Sequence, residues 1–226
     1  MKKLKALLTA AHFGPTMIVT SIAFLLACRL WWEGPAYLIA ITVFLGQLII
    51  GWSNDIYDYQ DDLKHNRLNK PLVAGNITIS ELKIATFFLT PIAVVSNLFG
   101  PLGVKGGSVY LLGVACGLAY NFYFKFSPLS PIPYAIACAA LPASIFYAVN
   151  LPPPKWVLAV GSLLGITFHF LNVLKDLSQD LDSKIGGLPQ RLGKTTSVAI
   201  IALLIITVAV ILLSSPVTTD LTSKFS

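Results

Sequence analysis

Carboxylates are concentrated in two short stretches of this chain. Seven of its ten acidic residues lie within residues 54–62 and 176–182. If the first stretch is helical, Asp55, Asp58 and Asp62 fall within about 60° of one another on the helix surface. Three carboxylates on one helical face predict a cation site, because hard oxygen ligands of this kind suit Mg²⁺.

The alternative interpretation of the first stretch is a solvated helix end. Like charges at this spacing repel one another by roughly 0.2–0.5 kcal/mol per pair, and the helix macrodipole disfavours acids near a C-terminus. A divalent cation would remove both penalties, and Mg²⁺ often completes its shell with phosphate oxygens. We therefore favour a Mg²⁺ site, with Asp61 outside it because that side chain points off the shared face.

Basic residues follow the first stretch closely. Arg67 and Lys70 lie in a turn that ends near Gly75, and Lys125 follows a predicted helix that carries Tyr120. Cytoplasmic loops are rich in such cations for reasons of topology alone, and for Lys125 an interfacial anchor is an equally open interpretation. Beside a metal, however, a guanidinium and an ammonium supply the charge that a diphosphate requires. Acids and bases together predict a diphosphate–metal site.

The second acidic stretch repeats this pattern on another helix. Asn172, Asp176 and Asp180 form an i, i+4, i+8 row within about 80° of one face. His169 lies nearby, but an isolated histidine inside a membrane helix most often hydrogen-bonds a neighbouring helix. We therefore expect the carboxylates of this row, rather than His169, to bind metal.

Transmembrane helices must position these residues. The 226 residues are 55% hydrophobic with a mean hydropathy of +0.75, which exceeds the apolar content of a soluble domain. A spanning helix needs roughly 20 mainly apolar residues. Seven windows of this kind predict a single all-α bundle; they cover residues 14–32, 35–53, 80–99, 106–124, 131–149, 156–174 and 197–214. The other segments are a basic arm at 1–13, motif-bearing loops at 54–78 and 175–196, and a polar tail at 215–226.

The sixteen Lys and Arg residues divide unevenly between the two sides of such a bundle. With a cytoplasmic N-terminus, four of them lie outside, at Arg29, Lys105, Lys155 and Lys224, and the other twelve lie inside. This bias follows the positive-inside rule. It explains the net charge of +6 without nucleic acid as a partner. Because four spans separate the two acidic stretches, we expect both on the cytoplasmic face of a multi-pass cell-membrane protein.

Neither cysteine chemistry nor a cleaved leader is indicated. Cys28, Cys116 and Cys138 each fall in an apolar window without paired or metal-type spacing, so we expect them to pack between helices. The first window has no convincing small-residue cleavage site and is followed by a second span, so we expect it to remain in the mature protein.

The two acidic motifs resemble those of the UbiA-type intramembrane prenyltransferases. Residues 54–62 contain the NDxxDxxxD pattern of that family, and residues 176–180 contain its DxxxD pattern. The similarity runs from about residue 40 to residue 193. It includes Arg67, Lys70-Pro71-Leu72-Val73-Ala74-Gly75, the segment from Tyr120 to Lys125, and Gly187-Leu188-Pro189-Gln190-Arg191-Leu192-Gly193.

This resemblance implies an all-helical bundle around a central cavity and a reaction at its cytoplasmic end. The implied reaction is Mg²⁺-dependent transfer of a prenyl group from an isoprenyl diphosphate to a lipophilic, aromatic acceptor, as in quinone or related lipid biosynthesis. The implied catalytic residues and Mg²⁺ ligands are Asp55, Asp58, Asp62, Asp176 and Asp180. The implied substrate-binding residues are Asn54, Arg67, Lys70, Tyr120, Lys125 and Asn172. As a further hypothesis, acceptor orientation is assigned to Gln47, Ser53, His169 and Asn172.

The chain departs from the family pattern in three places. Lys70-Pro71 replaces the common Arg-Pro, which keeps the charge but loses bidentate geometry. Gly187-Leu188-Pro189 replaces the usual Thr-Leu-Pro. Seven spans are predicted where relatives typically have nine, which leaves the cavity wall either incomplete or closed by a partner or a second copy. The alternatives are a truncated, inactive relative, or a protein that binds or transports polyprenyl phosphates or divalent cations.

Overall fold

The structure is a computed structural model that describes residues 2–30, 34–182 and 185–215. Its described part contains eight α-helices and one short 3-10 helix at Phe124–Phe126. The helices are α1 (Lys2–Ala10), α2 (Phe13–Leu30), α3 (Gly34–Lys64), α4 (Ile79–Phe99), α5 (Gly103–Phe122), α6 (Pro131–Ala148), α7 (Lys155–Asp182) and α8 (Leu188–Ser214).

The predicted all-α transmembrane bundle is confirmed. Six helices of the described part, α2, α3, α4, α6, α7 and α8, are long and apolar enough to cross a membrane. The predicted span at 106–124 corresponds to α5, which has 20 residues but carries glycines and a lysine in its first turns and is not among these six. Large side chains such as Phe87 and Leu213 are exposed on the outside of the bundle, as expected for surfaces that face lipid. The chain is a multi-pass membrane protein.

The core lies where α2, α3, α5 and α6 meet. Ala27 of α2, Ile39 of α3 and Ile145 of α6 belong to one buried apolar cluster. Tyr110 of α5 packs in the same cluster and donates a hydrogen bond to the Val43 carbonyl at 2.7 Å. Helices α7 and α8 continue the bundle from α6. This packing fixes the end of α3, which carries the first acidic motif.

Helices α4 and α5 approach each other closely at Gly107. A Cβ atom on Gly107 would overlap the backbone carbonyl of Asn97, which is itself fully buried. We expect Gly107→Ala to destabilise the bundle by about 1–3 kcal/mol, because a rigid backbone has to shift. Gly14→Ala is the matched control, since no atom lies within 4 Å of the added Cβ. Thermal unfolding in detergent micelles tests this prediction, and equal melting temperatures for the two variants would contradict it.

Several segments gather at one end of the bundle. These are α1, the last turns of α3, residues 65–78, the 3-10 helix and residues 185–187. The first acidic motif lies within α3, because this helix stays regular to Lys64. After α7 the chain returns to the 3-10 helix, so that a Cβ on Gly187 would lie 3.2 Å from the Lys125 carbonyl oxygen. Both motif-bearing segments are therefore at the same end of the bundle.

The last predicted span begins earlier than the hydropathy window indicates. Helix α8 starts at Leu188 and is interrupted at Gly193, whose φ of 76° and ψ of 174° are not helical. A positive φ of this kind favours glycine. Apart from Ser215, the predicted polar tail at 215–226 lies outside the described residues, as does the side chain of Asp180.

Candidate active site

The candidate site is built on the last turns of α3. Asp55, Asp58 and Asp62 lie on one side of that helix, and their side chains are 2%, 16% and 2% exposed. Asp61 instead lies 3.5 Å from His65, between its Oδ2 and the histidine Nδ1. The helical spacing predicted this division, since α3 remains regular through all four residues.

Lys70 neutralises Asp55, one of the two deeply buried carboxylates. Its Nζ lies 2.5 Å from Asp55 Oδ1 and 4.0 Å from Asp62 Oδ2. The lysine lies in the compact turn at 65–78, where its backbone N–H donates to the Arg67 carbonyl and its carbonyl accepts from Ala74 N–H. The predicted basic turn therefore folds back over the helix that carries the acids.

Arg67 neutralises Asp62. Its Nη1 donates to Asp62 Oδ1 at 2.9 Å, and its backbone N–H donates to the Asp62 carbonyl at 3.0 Å. The chain reverses through Asn66, which adopts a φ of 50°, a left-handed conformation that asparagine tolerates well. The Nε of Arg67 is buried and has no hydrogen-bond partner in the described part of the chain. This guanidinium therefore keeps a donor available for a further anion.

Lys125 neutralises Asp58 from a different part of the sequence. Its Nζ lies 2.7 Å from each oxygen of the carboxylate, so a single ammonium bridges both. Asn54 adds a third contact, donating from Nδ2 to Asp58 Oδ2 at 3.1 Å. The 3-10 helix after α5 brings Lys125 to this position. The predicted residues of the first motif and its bases are thus brought together.

Two residues that the sequence analysis did not single out help to build this end of the bundle. Asn121 of α5 donates from Nδ2 to Ser53 Oγ at 2.8 Å and to the Ile50 carbonyl at 3.0 Å, which fixes α5 against α3. His12 lies within 3.1 Å of Asn54 and Asp55. Asn121 lies inside the segment 120–125 that the resemblance covers, whereas the sequence signal near His12 is limited to the two alanines that precede it.

The second motif lies on the last turns of α7. Asn172 is half-buried and accepts a 3.5 Å hydrogen bond from Lys175, whereas Asp176 is exposed. The helix continues through Asp180 to Asp182, so the i, i+4, i+8 spacing holds for the backbone. No described ion pair includes Asp176. The structure therefore does not join the two motifs by a direct contact among the described residues.

His169, Tyr120 and the other residues assigned to substrates make contacts between helices. His169 is fully buried, its Nε2 lies 2.9 Å from Ser130 Oγ, and Tyr120 packs edge-on against its ring. Ser130 Oγ also accepts the Leu188 N–H at 3.0 Å, which ties α7 to the start of α8. Gln47 donates to the Tyr110 hydroxyl at 3.4 Å. Their assigned roles stay predictions.

The donor set of the first motif fits a divalent cation. No three carboxylate, histidine or thiol groups among the described residues form a ready-made cage. Asp55 Oδ2, however, is buried without a hydrogen-bond partner in the described part of the chain. A carboxylate oxygen left unpaired in this way is costly unless a ligand satisfies it. Hard oxygen donors of this kind suit divalent cations such as Mg²⁺, so this unpaired oxygen is chemically able to serve as a ligand.

Comparison with known proteins agrees with this architecture. A solved UbiA homologue from Archaeoglobus fulgidus superposes with a TM-score of 0.73 at 17% identity, covering 96% of this chain and 78% of that one. A structure described for digeranylgeranylglyceryl phosphate synthase in membranes gives 0.69 at 19% identity, covering 93% and 76%. No curated protein sequence matches the chain. The sequence profile of the UbiA prenyltransferase family matches residues 16–223. The chain belongs to the UbiA prenyltransferase family.

Proposed function

We propose that this chain transfers a prenyl group from an isoprenyl diphosphate to a lipophilic acceptor with Mg²⁺ as its metal. Members of its family act on these two substrate classes in membranes and generally use divalent metal ions. The observation that carries the proposal is the convergence of three carboxylates from α3 with three cations from other segments. The cations are Lys70, Arg67 and Lys125.

The charges at this site match the charges that develop in such a reaction. The bond between the allylic carbon and a diphosphate oxygen breaks, and its electron pair leaves with the oxygen. The same carbon then bonds to an acceptor atom, which loses a proton. Bound Mg²⁺ would stabilise the negative charge that develops on the leaving diphosphate. Asp55 and Asp58 would hold it, and the family motifs add Asp62, Asp176 and Asp180.

Lys70, Arg67 and Lys125 would bind the diphosphate itself. Each now lies against a carboxylate, and each carboxylate is a proposed metal ligand. When metal and diphosphate enter together, every cation can exchange a carboxylate oxygen for a phosphate oxygen. Arg67 already has a buried Nε without a partner in the described part of the chain, so it can contribute a second N–H to this anion.

The bundle offers apolar surroundings for the prenyl chain and the acceptor. Ile49, Val114 and Leu118 line an apolar cavity of about 190 Å³ between α3, α4 and α5. We propose an aromatic acceptor of quinone or related lipid biosynthesis, oriented with help from Asn172. A prenylated glyceryl phosphate is the second acceptor class to test, since one structural relative is described as digeranylgeranylglyceryl phosphate synthase.

We place this end of the bundle on the cytoplasmic side. Twelve of the sixteen Lys and Arg residues belong to the segments assigned to that side, and such a bias sets membrane orientation. The isoprenyl diphosphate would then enter from the cytoplasm, with its charged head at the carboxylates and its tail between the helices.

Release of diphosphate by the purified protein in lipid nanodiscs tests the proposed function. We expect Mg²⁺-dependent release from geranyl, farnesyl or geranylgeranyl diphosphate, with a prenylated product from one member of an acceptor panel. The panel contains quinone-precursor phenols and a prenylated glyceryl phosphate. If the protein bound prenyl diphosphate but released no diphosphate and formed no prenylated product with any acceptor, it would instead be an inactive relative.

A further inference from the structure

His12 reaches the centre of the candidate site from the N-terminal arm. It stands between α1 and α2 and adopts a φ of 52°, so the chain turns sharply at this residue. Its backbone N–H donates to the Thr9 carbonyl at 3.0 Å, and its carbonyl accepts from Thr16 N–H at 3.2 Å. These bonds turn the imidazole towards α3. The basic arm therefore contributes a side chain to the site besides setting orientation.

Helix α1 is held firmly enough to position this histidine. Trp52 of α3 donates from Nε1 to the Leu7 carbonyl at 2.9 Å. Ala10 and Ala11 are buried, and a Cβ on Gly51 would lie only 2.5 Å from the Ala11 carbonyl oxygen. Such a close approach requires small residues on both sides. The turn at His12 is therefore packed directly against α3, one turn before the first motif.

The imidazole Nε2 contacts two acceptors at once. It lies 3.0 Å from Asn54 Oδ1 and 3.1 Å from Asp55 Oδ1. Asn54 cannot turn its amide round without losing the bond from its Nδ2 to Asp58. Both of these neighbours therefore present oxygen, and on this ground we assign the hydrogen to Nε2, which donates it. Lys70 Nζ, 3.2 Å from Nε2, donates to the same Asp55 oxygen, which explains why two donors stand so close together.

We propose that His12 is a positioning residue that orients Asp55 for metal binding, an inference that rests on the proposed function. Two donors on Oδ1 fix the plane of the carboxylate, and Oδ2, which has no hydrogen-bond partner among the described residues, would be the oxygen that binds the metal. The same Nε2–H holds Asn54, which in turn contacts Asp58. One imidazole thus aligns two neighbouring residues of the NDxxDxxxD motif. Partners of this kind usually change metal affinity by about 10- to 100-fold.

The test compares three substitutions of His12 by their affinity for Mn²⁺ in the presence of inorganic pyrophosphate. Glutamine places an amide N–H near the position of Nε2. Asparagine tolerates the left-handed turn better but is too short to reach Asp55. Alanine removes the donor altogether. We expect His12→Gln to bind within about threefold of wild type, and His12→Asn and His12→Ala to bind about tenfold more weakly.

The order of the three variants separates positioning from a role in the turn alone. If His12 served only the turn, His12→Asn would bind best and His12→Gln would give no rescue, and this order would overturn the inference. Lys3→Ala is the matched control, because it removes an exposed ion pair between α1, the helix that precedes His12, and Glu81. Calorimetric titration in nanodiscs gives the affinities. If the wild-type protein failed to bind Mn²⁺ in the presence of pyrophosphate, the proposed function would be overturned. If the wild type bound Mn²⁺, but no more tightly than His12→Ala does, this inference alone would be overturned.

Discussion

Replacing Asp58 with asparagine is expected to abolish Mg²⁺-dependent binding of prenyl diphosphate. Asp58 is the most exposed of the three carboxylates and accepts bonds from both Lys125 and Asn54. Asparagine keeps the shape but removes the ligand charge. Since loss of a group that merely orients a metal ligand costs about 10- to 100-fold in affinity, loss of the ligand itself is expected to cost about 100-fold or more.

The stability of this variant is expected to change little, because water reaches the Asp58 side chain, which is 16% exposed. Asp61→Asn is the matched control: it removes the same charge from the same helix, but its carboxylate points towards His65. Binding of a fluorescent prenyl diphosphate analogue to protein in nanodiscs, at increasing Mg²⁺, measures the effect. Thermal unfolding of each variant verifies that the bundle is intact.

Asp176→Asn extends this prediction to the second motif. Asp176 is exposed at the end of α7, so its replacement should leave the fold unchanged and still abolish binding if the motif holds metal. Wild-type binding by both the Asp58 and Asp176 variants would remove the basis for a two-motif metal site. A loss only at Asp58 would limit the site to the first motif.

Helical periodicity was sufficient to predict which acids share a face. The 100° rotation per residue depends only on α3 remaining regular, and α3 is regular through Lys64. The parity of the spans likewise placed both motifs at one end, because each helix reverses the direction of the chain. Predictions of this kind use local geometry and a count of crossings, and neither requires knowledge of how the helices pack.

The contacts around the site could not be predicted in the same way. His12 meets Asn54 across 42 positions, and Asn121 meets Ser53 across 68. Such pairs depend on the distance and angle at which two helices cross, which small residues such as Gly51 determine together. The small residues before His12 were a usable signal, since Ala10 and Ala11 permit close packing, but they do not identify the partner helix.

Replacing Lys125 with methionine is expected to change metal and diphosphate binding in opposite directions. Lys125 Nζ lies 2.7 Å from both oxygens of Asp58, so it competes with a cation for that carboxylate. When a diphosphate is present, the ammonium gains a new anionic partner and the competition ends. In the wild type, each of the two ligands should therefore raise the affinity for the other. The expected increase is about 5- to 150-fold, the usual range for coupled sites.

In Lys125→Met the competitor is absent, so Mn²⁺ alone should bind more tightly than to wild type. Pyrophosphate in the presence of Mn²⁺ should bind about 10- to 100-fold more weakly, because a charge-assisted hydrogen bond of roughly 1.5–3 kcal/mol is lost. The factor by which Mn²⁺ and pyrophosphate raise each other's affinity should therefore be smaller in Lys125→Met than in the wild type. Methionine keeps the unbranched length of the lysine stem, so the 3-10 helix should retain its packing.

Two controls separate this effect from a general change of charge. Lys64→Met removes a positive charge from the exposed end of α3 and should leave both affinities and their coupling as in wild type. Lys125→Arg keeps a cation against Asp58 and should retain the coupling. The four affinities come from titrating Mn²⁺ with and without pyrophosphate, and pyrophosphate with and without Mn²⁺. If Lys125→Met weakened Mn²⁺ binding without pyrophosphate, the exchange of partners between carboxylate and diphosphate would be wrong, and Lys125 would instead support the metal site through Asp58.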